Sequence, residues 1–398
     1  MKIISAIILT CFCITAVKAD EERIWMDAKI NGKPVRLVLD TGTTGDIAIY
    51  STTAKKLGIK YRPPDSHSES GLTSVGWTEP CHINFGTNNA NFSFHTDDIS
   101  FGTGIRLAVV EMPAYLKPSE DGIIGWAAIK DKVISIDAIA DKISFDVYGL
   151  LGGDKWKTFQ LETRLGLLAL DIPLENGANG VVLLDTGSPR GVELNPQKWS
   201  EWKSSHTNQP STFESYYTPS IGPVIKEESW ADKISLGSLM LTDVPVMEAD
   251  ANDVTLASLP QTQYEATLGL AAIKRLDIIV DGQNGFASIR PKTTAPLPYQ
   301  HNRLGAGFIP RDSQSDDLIA HIASGSPAYK AGIRDGDILL KVGKLDFTKW
   351  RTDTNPPADY VGQPGTKLKL TLKRGDKIFK TTATLQNILP PDAQKNSN

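Results

Sequence analysis

Apolar and polar positions along the chain fall into short runs with period two, separated by Gly, Asn, Asp and Pro. Trp25-Met26-Asp27-Ala28-Lys29-Ile30 alternates in the manner of a half-buried strand. Val35 to Leu39 and Val181 to Leu184 are largely apolar runs that read as more deeply buried strands. Each is preceded by an Asn-Gly pair, Asn31-Gly32 in one case and Asn176-Gly177 in the other. Asn-Gly between apolar runs predicts a tight hairpin turn. Thr52 to Leu57 and Pro196 to Lys203 are expected to form short helices or turns. The pattern predicts a mostly β protein.

The runs also repeat. Val35 to Leu39 leads into Asp40-Thr41-Gly42-Thr43, and Val181 to Leu184 leads into Asp185-Thr186-Gly187-Ser188, with the two aspartates 145 residues apart. Ile124-Gly125-Trp126-Ala127-Ala128-Ile129-Lys130 parallels Leu268-Gly269-Leu270-Ala271-Ala272-Ile273-Lys274 at an offset of 144. Asp137 and Asp281 keep that offset. So long a period describes two copies of a domain-sized unit and not a solenoid. The expected division is residues 20–150 and 151–292.

The N-terminus differs from the rest. Lys2 precedes an apolar run from Ile3 to Val17, followed by Val17-Lys18-Ala19. This is the layout of a secretory signal over residues 1–19, with cleavage expected after Ala19. The run of about 15 residues falls short of the ~20 that a membrane-spanning helix requires. Its removal leaves Cys81 as the one remaining cysteine of three, which excludes an internal disulfide and predicts a small buried apolar residue. With 42 basic against 46 acidic residues and no basic block, nucleic acid is not an expected partner.

An aspartate at the end of a buried strand, twice, followed each time by Thr and Gly, points to a paired-carboxylate site. Two carboxyl groups held close together cannot both ionise and share a proton. The ionised member can take a proton from water and the protonated one can donate to a carbonyl oxygen, which suffices to hydrolyse an amide. Gly42 and Gly187 would let the backbone approach the carboxylates. Thr41 and Thr186 would hold the two loops in register through their hydroxyls. Thr43 and Ser188 are expected to donate a hydroxyl each to the neighbouring carboxylate and favour its ionised form, so the expected pH optimum is acidic.

These motifs resemble aspartic proteases of the retropepsin and pepsin type. Leu37-Val38-Leu39-Asp40-Thr41-Gly42-Thr43 with Asp121-Gly122-Ile123-Ile124-Gly125 carries the likeness in the first copy. Leu183 to Ser188 with Thr267-Leu268-Gly269 carries it in the second. The resemblance implies two lobes around one cleft, Asp40 and Asp185 as the catalytic dyad, no cofactor and no metal, and polypeptide substrates. Because one chain supplies both lobes, a monomer suffices. A flap is sought at Gly71 to Trp77 in the first copy and near Tyr216 and Tyr217 in the second. Pro189-Arg190 and Ala266-Thr267 depart from the family pattern. Arg190 would either depress the pKa of the dyad or point to solvent. The alternative reading is a protease-like peptide-binding scaffold without turnover.

Residues 293–303, rich in Pro and polar residues, read as a linker, and the polar residues 389–398 as a disordered tail. Between them, residues 304–388 form a separate unit. Ser326 is expected to cap a short helix begun by Pro327 and ended by Gly332, and Asp335-Gly336 to turn the chain into the strand Ile338 to Val342. This segment resembles the PDZ domain of bacterial envelope proteases, a small α+β fold. The likeness implies binding of peptide or protein termini, with the backbone amides of Leu304-Gly305-Ala306-Gly307-Phe308 cradling the terminal carboxylate. Together with the export signal, it implies a periplasmic or extracellular protein. No Gly-x-Ser-x-Gly or His-Glu-x-x-His motif and no phosphate-binding loop occurs.

Overall fold

The computed structural model describes residues 12–13, 23–62, 74–85, 92–93, 99–111, 119–145, 155–174, 177–218, 222–250, 263–292, 299–312, 315–350 and 362–390. Residues 1–11, residues 14–19, the first-copy tip at 71–73, residues 293–298 of the expected linker and residues 391–398 of the expected tail lie outside them. The fold is mostly β, in three sheets. Among the described residues, no helix is long and apolar enough to cross a membrane.

The same three-strand unit is built in both halves. Lys33–Asp40 follows Trp25–Ile30 through a turn at Asn31 and Gly32, both with positive φ. It runs parallel to Gly122–Gly125, which is antiparallel to Ile47–Tyr50. In the second half Asn179–Leu184 runs parallel to Tyr264–Leu268, which is antiparallel to Val192–Leu194. The two aspartate strands are buried on both faces over their last residues, as their near-continuous apolar sequence demands. Thr52 to Leu57 lies in a helix, Ser51–Leu57, and Pro196 to Lys203 in a helix, Pro196–Ser205. Asn195 Oδ1 caps the latter by accepting from Lys198 N at 2.8 Å, and Pro196 occupies its first turn. Its Trp199 and Trp202 pack into the core.

The halves are joined by a sheet. Val133–Asp137 pairs antiparallel with Leu276–Asp281, with Ile134 opposite Val280 and Ile136 opposite Ile278. Since 278 and 280 are the counterparts of 134 and 136, the pairing is reciprocal, and Ser135 faces its own counterpart Ile279. The pseudo-twofold axis passes through this pair. One apolar core spans both halves. Cys81 is buried in it as a free thiol.

Residues Leu304 to Leu385 have a core of their own. Their sheet runs in the order Ala306–Pro310, Leu318–Ile322, Ile338–Val342, Lys367–Arg374, Lys377–Thr384. Ser326 Oγ accepts from Tyr329 N at 3.2 Å and caps the helix Pro327–Lys330. This unit is docked on the body. Its edge strand Ala306–Pro310 lies against the long hairpin formed by Ser211–Thr218 and Gly222–Leu236, so closely that a Cβ on Gly307 would stand 2.1 Å from Ile225 Cδ1. The end of the expected linker is packed between the two, with His301, Asn302 and Arg303 buried. Tyr299 donates to Glu228 on the hairpin, Thr212 Oγ1 donates to Asn302 O at 2.7 Å, and His301 Nε2 accepts from Ile388 N and Leu389 N, each at 3.0 Å.

Candidate active site

Asp40 and Asp185 end their strands at the interface of the halves and are 2 % and 4 % exposed. Gly125 is in register with Asp40, and Asp185 N donates to Leu268 O at 2.9 Å, so the apolar-Gly strand runs directly beside each aspartate loop. The loops interlock. Thr41 Oγ1 donates to Leu184 O at 2.6 Å, and Thr186 Oγ1 donates to Leu39 O at 2.8 Å. Thr41 N donates to Thr186 Oγ1 and Thr186 N to Thr41 Oγ1, both at 3.1 Å. Three buried polar groups on each side of the axis are thereby satisfied by the other side, which fixes the relative position of the carboxyl groups.

The glycines bring the loops together. A Cβ on Gly42 would lie 2.4 Å from Asp185 Cγ, and a Cβ on Gly187 would lie 2.4 Å from Asp40 Cγ. Each carboxyl group therefore rests against the backbone of the opposite loop. Gly42 N donates to Asp40 Oδ1 at 3.0 Å; Gly187 N and Ser188 N donate to Asp185 Oδ1 at 2.9 and 3.2 Å. Burial pushes the Asp185 carboxyl up to about 6, the nearby Glu193 carboxylate adds to the rise, and the two backbone amides and Arg190 oppose it.

Two hydroxyls of the site differ from the sequence-based expectation, and Arg190 follows one of its two expected alternatives in part. Ser188 Oγ does not donate to Asp185; it donates to Glu193 Oε1 at 3.0 Å, because a buried carboxylate five residues on competes for its proton. Thr43 Oγ1 is buried without a hydrogen-bond partner. Arg190 is buried, and its charge acts to lower the Asp185 pKa in the expected direction. It is 2 % exposed, donates to Glu193, lies 3.5 Å from Glu214 and stacks 3.7 Å above the ring of Tyr216. Burial and Glu193 together outweigh it. Tyr216 is correspondingly a fully buried residue of the hairpin strand and not a loop tip. Glu193, Glu214 and Glu228 were not among the expected site residues; only their spacing from Arg190 could have drawn attention to them.

The C-terminal loop also departs from expectation. Leu304, Gly305, Ala306, Gly307 and Phe308 are all buried. The amides of Leu304 and Gly305, expected to face a peptide carboxylate, donate to Asn302 Oδ1 at 3.0 and 3.2 Å. Asn302 Nδ2 in turn donates to Phe213 O at 2.9 Å and Ala306 O at 2.8 Å. Buried N–H groups require an acceptor, and here the chain supplies it.

Residues 26–128 match the family model described as aspartyl protease. That segment holds Asp40 and the strand Gly122–Gly125 that runs beside it. Protease RseP of Yersinia pestis is 36% identical over 77 residues, 17% of this chain and 17% of that protein. Putative serine protease HhoB of Synechocystis sp. is 38% identical over 74 residues, 18% of this chain and 17% of that protein. The chain thus covers about one sixth of the length of these curated relatives. Among solved structures, Basic 7S globulin from soybean is similar with a TM-score of 0.42 and 8% identity, over 72% of this chain and 95% of that one. The family match and the relatives support a protease role.

Proposed function

We propose that the chain is an aspartic endopeptidase in which Asp40 and Asp185 share one proton across the pseudo-twofold axis. The observation that carries this reading is the reciprocal seating of each carboxyl group on the other loop's glycine, Asp185 on Gly42 and Asp40 on Gly187. A water held between the carboxyls gives a proton to the ionised member and attacks the peptide carbonyl carbon. The protonated member donates to the carbonyl oxygen. Collapse of the tetrahedral intermediate breaks the C–N bond, and the nitrogen leaves with a proton returned from the dyad. The site needs no covalent adduct. In the same reading the apolar run after Lys2 directs export, and the chain acts as a monomer on polypeptides. The C-terminal unit, by its likeness to PDZ domains, takes peptide or protein termini at Leu304 to Phe308 once Asn302 and the hairpin give way.

The test is cleavage of an unstructured protein and of a mixed peptide library by the full chain between pH 3 and 7, beside Asp40→Asn and Asp185→Asn. Loss of cleavage in both variants is the expected result. Cleavage that survives in both overturns the dyad, and peptide binding without cleavage by the unaltered chain favours the scaffold.

A further inference from the structure

The two halves provide an internal comparison. Ile47 pairs with Ile124 as Val192 pairs with Leu268, and Ala48 with Ile123 as Glu193 pairs with Thr267. Glu193 therefore occupies the place of Ala48, and Arg190, three residues earlier, the place of Gly45. Both first-half residues are small, uncharged and buried. At the same depth the second half holds a buried ion pair whose carboxylate takes the Ser188 hydroxyl. The backbone plan is shared and the charge is not.

We propose that Glu193 is a positioning residue that makes Asp185 the member of the dyad that keeps the proton while Asp40 ionises, and that Arg190 holds Glu193 in place and partly offsets its charge. The inference rests on the dyad reading for its catalytic meaning. Glu193 acts in two ways. It places a negative charge behind the Asp185 loop, and it draws the Ser188 hydroxyl away from the Asp185 carboxylate. Either change disfavours the ionised aspartate. Arg190 donates to Glu193 and lies 3.5 Å from Glu214, so the second loop is tied to the hairpin 211–236. Among the described residues, the charged groups around Asp185 are Asp40 from the facing loop, Arg190 and Glu193 from its own half, and Glu214 and Glu228 behind Arg190 on the hairpin. Asp185 carries a raised pKa for the causes already given, burial first and Glu193 second.

The pH dependence of kcat/KM of the full chain, measured with Glu193→Gln, tests this. Glutamine keeps an acceptor for Ser188 and removes the charge. The upper midpoint of the profile is expected to fall by about one pH unit, a tenfold change in proton affinity. Arg190→Gln removes the opposing charge and is expected to move it upward, so either variant alone decides if the other does not fold. A drop in kcat with both midpoints unmoved is what a structural role alone would give, and it overturns the proposal. The same midpoint is read without turnover by carboxyl 13C titration of Asp185 in the Asp40→Asn chain, with and without Glu193→Gln. If the unaltered chain cleaves nothing, the dyad reading fails while this titration still decides the role of Glu193: a shift of about one unit upholds it, and an unmoved midpoint overturns it.

Discussion

Gly42 lies against the carboxyl group of Asp185, and a Cβ there would stand 2.4 Å from Asp185 Cγ and 2.6 Å from both carboxylate oxygens. The obstacle is the carboxyl group proposed to react, so the clash cannot be relieved without moving it. Gly42→Ala and Gly187→Ala should each lower kcat at least a hundredfold. The stability loss should stay within the ~1–3 kcal/mol typical of overpacking, because the change is local. Cleavage rates and thermal melts of the two variants check this; an active Gly42→Ala chain would show that the loops separate in use.

Thr41→Val and Thr186→Val each leave buried backbone groups of the facing loop without a partner. Each should cost about 1–3 kcal/mol. The double variant should cost less than the sum, since both side chains serve one network. Urea denaturation of the three chains gives the coupling directly.

The raised pKa of Asp185 makes stability depend on pH. Unfolded, the group titrates at its ordinary value of 3.8; folded, at about 6. A carboxyl with a raised folded pKa stabilises the fold fully below 3.8, and that contribution is lost as pH rises through about 6. Two units correspond to about 3 kcal/mol as an order of magnitude. Asp185→Asn, always neutral, should therefore gain stability over the unaltered chain at pH 7 and little at pH 4. Equal differences at the two pH values would contradict the assignment.

His301 behaves in the opposite sense. Burial, with Arg303 assisting, lowers it to about 4 from an ordinary 6.5. Its neutral Nε2 accepts from the amides of Ile388 and Leu389. A histidine with a depressed folded pKa stabilises above 6.5, and the contribution fades as pH falls through about 4. Hydrogen exchange at the Ile388 and Leu389 amides should accelerate across that window in the intact protein. In His301→Phe it should be fast throughout, beyond the intrinsic pH dependence of exchange.

Asn302→Ala should free the amides of Leu304 and Gly305. The variant is expected to bind a peptide with a free C-terminal carboxylate and to reject the same peptide amidated, while the unaltered chain binds it at least tenfold more weakly. Calorimetry on both chains settles it, and equal binding would show that Asn302 does not guard the loop.

The offset between Asp40 and Asp185 was legible in the sequence because it is carried by local words: an apolar strand, Asp-Thr-Gly, and a later apolar-Gly strand. It is the offset at which Thr41 and Thr186 bond each other. The mostly β class followed from alternation in the same way. Partner choice inside the site was not legible. Ser188 had two acceptors within reach, and only the inward turn of Glu193 on Val192–Leu194 decides between them. Residues 299–303 read as a linker from their neighbouring prolines, whereas their burial depends on the hairpin 211–236, some 70 to 90 residues earlier. The joining sheet of Val133–Asp137 and Leu276–Asp281 was hidden for a similar reason, since nothing in either strand names the other.

The reciprocal pairing in which Ser135 meets its own counterpart has the form of a two-fold seam, here within one chain. In a true homodimer every substitution is copied to both sides, so a charge that helps one aspartate burdens the other equally. Fusing the two copies lifts that rule. One half retains Gly45 and Ala48 while the other carries Arg190 and Glu193, and each can change without the consent of its twin. Covalent linkage therefore does more than make the association permanent: it lets two equivalent places carry different charges.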